Sequence, residues 1–154
     1  MPTLAQYLEA AKDTKVHLVL ELKPHATPEA ETAAAEAVVK MVGRYGLSKR
    51  VTYISFSLHV MKELARLAPA KTQVMYLGGG TLPKDLKAMG LTGCDFNYGV
   101  YLNNPTWLND IKALKMASNV WTVNNPADMI WAIENRVDFI TTDRPDLFLK
   151  LTRK

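Results

Sequence analysis

"SNVWTVNNPADMIWAIENRVDFITTDRPDLFLKLT", residues 118–152, runs twice through one rhythm. A β-rich run at 118–124 leads into a helical run at 126–136, and a second β-rich run at 137–143 leads into another helical run from Arg144. The alternation extends backward. "VTYISFS" (51–57) precedes "LHVMKELARLAP" (58–69), "TQVMYL" (72–77) precedes "LPKDLKAMG" (82–90), and "CDFNYGVYL" (94–102) precedes "PTWLNDIKALKM" (105–116). Strand-helix units with short connections imply a parallel sheet with right-handed crossovers, because parallel neighbours cannot be joined by a hairpin. Two architectures fit, an open doubly wound sheet or a (β/α) barrel. In both, ligands sit at the C-terminal ends of the strands. The polar strand-end residues are therefore the candidates: Glu21, Lys23, Ser55, Ser57, Asn97, Asn124, Thr142 and Asp143.

Ahead of these units stands "VHLVLELKPH", residues 16–25, an apolar strand that ends in a carboxylate and an ammonium. Successive strand side chains point to opposite faces, so Leu18, Leu20 and Leu22 share one face while Val19, Glu21 and Lys23 share the other. The leucine face needs cover from helices. On the opposite face Glu21 and Lys23 lie roughly 7 Å apart along the strand and must meet water, a partner or a ligand. Thr3 is placed to cap a helix over 4–12, with Leu4, Tyr7, Leu8 and Ala11 as its apolar stripe. Downstream, residues 26–46 carry a Thr cap, Pro at the first helical position, early glutamates and Gly46 suited to a C-terminal cap.

Composition narrows the class. A chain of 154 residues with 48% hydrophobic content has the length of a single domain, 1–154, and the material for a core. The net charge of +4 comes without a basic arm or polybasic run and gives no argument for nucleic acid. A lone cysteine, Cys94, cannot form an internal disulfide and is expected in packing. No stretch approaches the roughly 18 consecutive apolar residues of a membrane span. The N-terminus has helix-spaced apolar residues interrupted by Glu9 and does not read as a signal peptide, so the chain taken from Met1 reads as soluble and cytoplasmic.

Residues 119–147 resemble the end of the glycerophosphodiester phosphodiesterase family, a branch of the phospholipase-C-like (β/α)8 barrels. The likeness lies in a Trp-Thr-Val-Asn strand, a helix with an acidic start, and a Val-Asp strand ending in Ile-Thr-Thr-Asp-x-Pro. "LVLELK" is similar to the family's third strand with its Glu-x-Lys motif, "YISFS" to its fourth, and "PTLAQYLEAAK" to the helix before the third. Arg136 stands where the family usually has glycine, which leaves that turn open to a different conformation. The family's opening His-Arg-Gly strand, Glu-x-Asp strand and His-Asp segment have no counterpart in this sequence. The resemblance thus implies an incomplete (β/α)8 TIM-type barrel of about six strand-helix units, the C-terminal three-quarters of the family's domain.

It also implies a chemistry: metal-dependent hydrolysis of glycerophosphodiesters to glycerol 3-phosphate and an alcohol. In the family a divalent cation, Mg2+ or Ca2+, is held by carboxylates of the second and third strands, and two histidines move the protons. By that match Glu21 is a metal ligand, Lys23 the catalytic cation that stabilises the phosphate, and Trp121 the aromatic of the substrate pocket. One carboxylate is a poor site for a hard cation, so metal binding by the isolated chain is expected to be weak and the chain inactive alone. His25, on the active-site side of the Glu-x-Lys strand, is a further substrate-binding candidate against an ordinary loop histidine, whereas His17 and His59 read as structural. A salt bridge in a barrel mouth is the plainer reading of Glu21 and Lys23, and core packing that of Trp121, Trp107 and Trp131. Gly78 to Gly80 lack phosphate-loop spacing and read as a strand-to-helix turn. Open sheet edges imply self-association or an N-terminal complementing segment. The functional alternative is a non-catalytic partial barrel that serves as a ligand-binding or interaction module.

Overall fold

A computed structural model describes residues 1–152. In chain order the elements are α1 (Leu4–Lys12), β1 (Leu18–Glu21), α2 (Pro28–Arg44), β2 (Val51–Ser55), α3 (Leu58–Leu67), β3 (Gln73–Tyr76), α4 (Pro83–Ala88), β4 (Gly93–Asn97), α5 (Tyr98–Asn103), α6 (Trp107–Ala113), β5 (Ala117–Trp121), α7 (Pro126–Glu134), β6 (Phe139–Ile140) and α8 (Pro145–Thr152). The six strands form one parallel sheet in sequence order, β1 to β6. It curls into an incomplete TIM-type barrel with the helices outside. Among the described residues β1 pairs only with β2 and β6 only with β5, so the barrel is not closed.

Local chemistry starts the helices where the sequence places them. Thr3 Oγ1 accepts a hydrogen bond from the Gln6 amide while Gln6 Oε1 accepts one from the Thr3 amide, a complete capping box. Thr27 caps α2, with Pro28 in its first turn; Ser57 caps α3 and Asn125 caps α7. Each such cap contributes about 1 kcal/mol. At the far end of α1 the Arg50 guanidinium donates to the carbonyls of Lys12 (2.8 Å) and Val16 (3.1 Å), fastening the helix to the start of β2.

The leucine face of β1 behaves as its alternation dictates. Leu18, Leu20 and Leu22 pack on the shared core that also contains Leu8, Ala35, Val42, Tyr53, Val60 and Leu64. Tyr7 does not follow its stripe: it is 63% exposed, and only Leu8 and Ala11 of α1 are buried. A single outer helix needs only one narrow line against the sheet, and Tyr7 lies beside that line. The run 94–102 is also corrected, because its second half is α5 rather than strand. Asn97 accepts from the Gly99 amide and so starts a helix at the point where the β-prone tyrosines would extend the strand. The three glycines are a turn, and Gly79 is required there, since a Cβ would come within 2.3 Å of Val100 Cγ2.

Arg136 adopts φ 54°, the left-handed conformation that glycine takes without a steric penalty. The turn after α7 keeps this glycine-type conformation despite its arginine, because the Val137 amide must reach the Ala132 carbonyl at 3.0 Å to bring the chain back toward β6. Arg136→Gly is expected to raise the unfolding free energy by about 1 kcal/mol, read as a higher urea midpoint with unchanged slope.

Candidate active site

The inward faces of the strands define two adjoining cavities. The upper one, about 230 Å³, opens at the C-terminal strand ends and is lined by Glu21, Lys23, Phe56, Asp95, Trp121 and Thr141 among others. A lower one of about 170 Å³ reaches from Asp95 down to His17, Thr52, Gln73 and Asn119. A larger groove of about 490 Å³ lies outside, between α4 and α6, with Lys84 and Asp110 on otherwise largely apolar walls. The upper cavity holds both carboxylates and an ammonium, so it is the candidate site.

Lys23 Nζ donates to Glu21 Oε1 at 2.7 Å. The pair is held from behind by a polar clamp. Ser55 Oγ donates to the Leu22 carbonyl at 2.6 Å, and Glu31, buried in the first turn of α2, accepts from the His25 amide (3.2 Å) and from Ser57 Oγ (2.8 Å). Loop β1–α2 is thereby tied to loop β2–α3 on either side of Glu21 and Lys23. Trp121 forms the facing wall: its Nε1 donates to the Asp95 carbonyl at 2.9 Å, and its ring meets Phe56 edge to face at a centroid distance of 5.8 Å.

The structure brings Glu21, Lys23 and Trp121 to this one cavity and leaves His25 beside it. The His25 Nδ1 lies 2.8 Å from the Lys23 carbonyl, which can only accept, so Nδ1 carries the proton and the ring curls back over its own loop. His17 Nε2 lies 2.9 Å from Thr52 Oγ1, whose own proton goes to Gln73, so His17 is a donor at the barrel floor. His59 bonds Thr32 between helices. Of the remaining strand-end residues, Ser55, Ser57 and Asn97 serve backbone caps and clamps, while Asn124, Thr142 and Asp143 bond one another beyond β5 and β6. None of these six lines the upper cavity. Cys94 faces the core, and burial pushes its thiol up to about 12, which leaves it inert as a nucleophile.

Asp95 is the residue that strand-end reasoning missed. It sits in the middle of β4, is 2% exposed, borders both cavities, and its Oδ1 has no hydrogen-bond partner. The sheet's stagger explains the miss. The rungs of the ladder run from Glu21 through Ile54 and Met75 to Gly93, so the end of β1 is level in register with the beginning of β4. A residue two positions into β4 therefore shares a cavity with the last residue of β1. The only sequence signal was an aspartate inside an otherwise apolar strand, which in a parallel sheet demands an interior partner.

Burial, opposed by a hydrogen bond from Asn119 and reinforced by the charge of Glu21, pushes the Asp95 carboxyl up to about 6. The folded value lies above the ordinary 3.8, so the native state holds this proton more tightly, and that stabilisation is lost as pH rises through 6. In metal-free buffer Asp95→Asn should gain on the wild type by up to about 3 kcal/mol between pH 4 and pH 7. Denaturation at a series of pH values on both proteins reads this difference; a constant offset would contradict it.

As to a divalent cation, no cluster of three or more His, Cys, Asp or Glu side chains occurs among the described residues. The carboxylates lining the cavity are Glu21 and Asp95, with the hydroxyls of Thr122 and Thr141 as further oxygen atoms on its wall. Mg2+ commonly binds through one or two carboxylates and keeps its waters, and Ca2+ takes six to eight oxygens, so the two carboxylates offer either cation part of a coordination shell.

A strand-end site inside a curled parallel sheet defines a protein of the (β/α)-barrel class. The profile of the Glycerophosphoryl diester phosphodiesterase family matches residues 1–147, and the chain belongs to that family. It is similar to a glycerophosphodiester phosphodiesterase of Caldanaerobacter subterraneus subsp. tengcongensis, 27% identical over 161 residues that take in 100% of this chain and 63% of that protein. A crystal structure of a glycerophosphodiester phosphodiesterase from Parabacteroides distasonis superposes with a TM-score of 0.94 at 48% identity, over 97% of this chain and 63% of that one. An Oleispira antarctica phosphodiesterase, solved with its product sn-glycerol-3-phosphate, shares the fold at a TM-score of 0.84 and 18% identity, over 99% of this chain and 62% of that one. The chain thus spans under two-thirds of the length of these relatives. No helix among the described residues is long and apolar enough to cross a membrane.

Proposed function

We propose that this chain supplies the substrate-binding and phosphate-stabilising part of a metal-dependent glycerophosphodiester phosphodiesterase, and that hydrolysis to glycerol 3-phosphate and an alcohol requires proton-transfer groups that line no part of its own cavity. The observation that supports this most directly is the Lys23–Glu21 pair, 2.7 Å apart at the mouth of the upper cavity and matching the family's Glu-x-Lys motif. Phosphodiester cleavage needs neutralised phosphoryl oxygens, a base for the nucleophile and an acid for the leaving alkoxide. Lys23 meets the first need, with its ammonium at the cavity mouth. The apolar wall of Trp121 and Phe56 packs the carbon skeleton of the glycerol unit. A divalent cation held by Glu21 would supply further neutralisation of the phosphoryl oxygens. The base and the acid are what is lacking: all three histidines lie outside the upper cavity.

The sheet's two edges bear on the same reading. Val19 on β1 and Phe139 on β6 point inward and border the lower cavity, yet are 56% and 47% exposed. Apolar residues on an inward barrel face at both margins of one gap call for cover by further strands. The cover proposed is a segment of two strand-helix units bearing the His-Arg, Glu-x-Asp and His-Asp motifs of the family, paired to β1 and β6.

Hydrolysis of glycerophosphocholine and glycerophosphoglycerol in Mg2+ or Ca2+ tests this. The expected result is no turnover by the chain alone, turnover when the complementing segment is added, and a fall of about a hundredfold or more for Glu21→Ala or Lys23→Ala in the complemented protein. Turnover by the chain alone that Glu21→Ala abolishes would overturn the account of the protons. A complemented barrel that forms by light scattering and remains inactive would favour the non-catalytic module.

A further inference from the structure

The deepest feature of the upper cavity is left without a role by the Glu21–Lys23 pair. Asp95 is 2% exposed, it borders the same cavity as Glu21, and its Oδ1 makes no hydrogen bond. A buried carboxylate oxygen in this state has lost its water without gaining a partner, which a folded chain ordinarily avoids, even though Asn119 bonds the same carboxyl group. No cation among the described residues answers it. Among the described residues the ion pairs are Lys12–Glu9, Lys23–Glu21, Arg66–Glu63 and Arg144–Asp146, and Lys23 is the only basic side chain lining the cavity. With Asp95 ionised, two carboxylates and one ammonium leave the cavity with a net negative charge.

Resting on the functional reading above, we infer that Asp95 is a second carboxylate for the divalent cation, so that this chain alone holds a two-carboxylate Mg2+ site with Glu21. The assignment explains two observations together. The orphan oxygen gains an electropositive partner. The strand's polar interior position gains a purpose, since its neighbours Cys94 and Phe96 face the core while Asp95 faces the cavity. The Trp121 ring, fixed by its bond to the Asp95 carbonyl at 2.9 Å, holds β4 and β5 in one arrangement beside the site. One or two carboxylates with retained waters is the ordinary Mg2+ environment, and a phosphate oxygen of a substrate would replace one of those waters.

The test is calorimetric titration of the purified chain with MgCl2, together with thermal melts at fixed ionic strength, on the wild type, Asp95→Asn and Glu21→Gln. Both substitutions keep shape and remove one charge. Mg2+ should bind the wild type saturably and raise its melting temperature; affinity should fall about tenfold or more in each variant. Asp95→Asn should melt above the wild type without Mg2+ and gain nothing from it, a crossing that a merely structural aspartate would not produce. Equal affinity and an equal Mg2+ shift in wild type and Asp95→Asn would overturn the inference. If Glu21→Gln alone loses Mg2+, the inference falls while the functional reading stands; if the wild type binds none, the inference falls and the hydrolysis experiment decides the functional reading separately.

Discussion

The stagger of the parallel ladder is the constraint on which the rest of this molecule depends. β3 starts one rung beyond the start of β2, β4 two beyond β3 and β6 two beyond β5, while β1 and β2, and β4 and β5, start level, so Glu21 at the end of β1 shares a rung with Gly93 at the start of β4. Strand tilt of this kind lets a sheet curl, and it converts positions remote in sequence and unlike in strand location into neighbours across a shared interior. Glu21, Lys23, Asp95 and Trp121 meet for this reason.

Around that geometry the loops act as fasteners. Ser55 bonds the Leu22 carbonyl, and Glu31 collects the His25 amide and the Ser57 hydroxyl. These bonds absorb the polar groups that the strand ends expose, and they do so on the back side of the site, leaving the cavity to the charged pair and the aromatic wall. Buried polar groups with partners rigidify, whereas the one side-chain atom without a partner among the described residues, Asp95 Oδ1, marks where a ligand is wanted.

Much of this could be read from the residues. The alternation in "LVLELK" puts the leucines on the face that helices must cover and Glu21 and Lys23 on the opposite face, to meet water, a partner or a ligand, because a period of two leaves no other choice. Capping chemistry marked the starts of α1 and α2 through Thr3 and Thr27. Local signals failed where tertiary geometry decided. The β-prone run through Tyr98 and Tyr101 became helix once Asn97 capped it, and Tyr7 was displaced from the buried line because a helix covering a sheet presents only a narrow stripe. Arg136 kept the backbone expected of glycine, since the return from α7 to β6 fixes the turn more strongly than one residue's preference can alter it. Asp95 was invisible to a search of strand ends because register across four strands is not encoded near it.

The strand order contains one more consequence. Every pairing in this sheet joins strands that are consecutive in sequence, from β1–β2 to β5–β6, so no contact in the ladder waits for the two ends of the chain to meet. Such a sheet can assemble serially, with low loop-closure entropy at each step, like an array of repeats rather than a closed ring. It is also divisible: a break between any two strand-helix units severs a single ladder and leaves every other one whole. A barrel built this way can be shared between separate polypeptides along any of its seams.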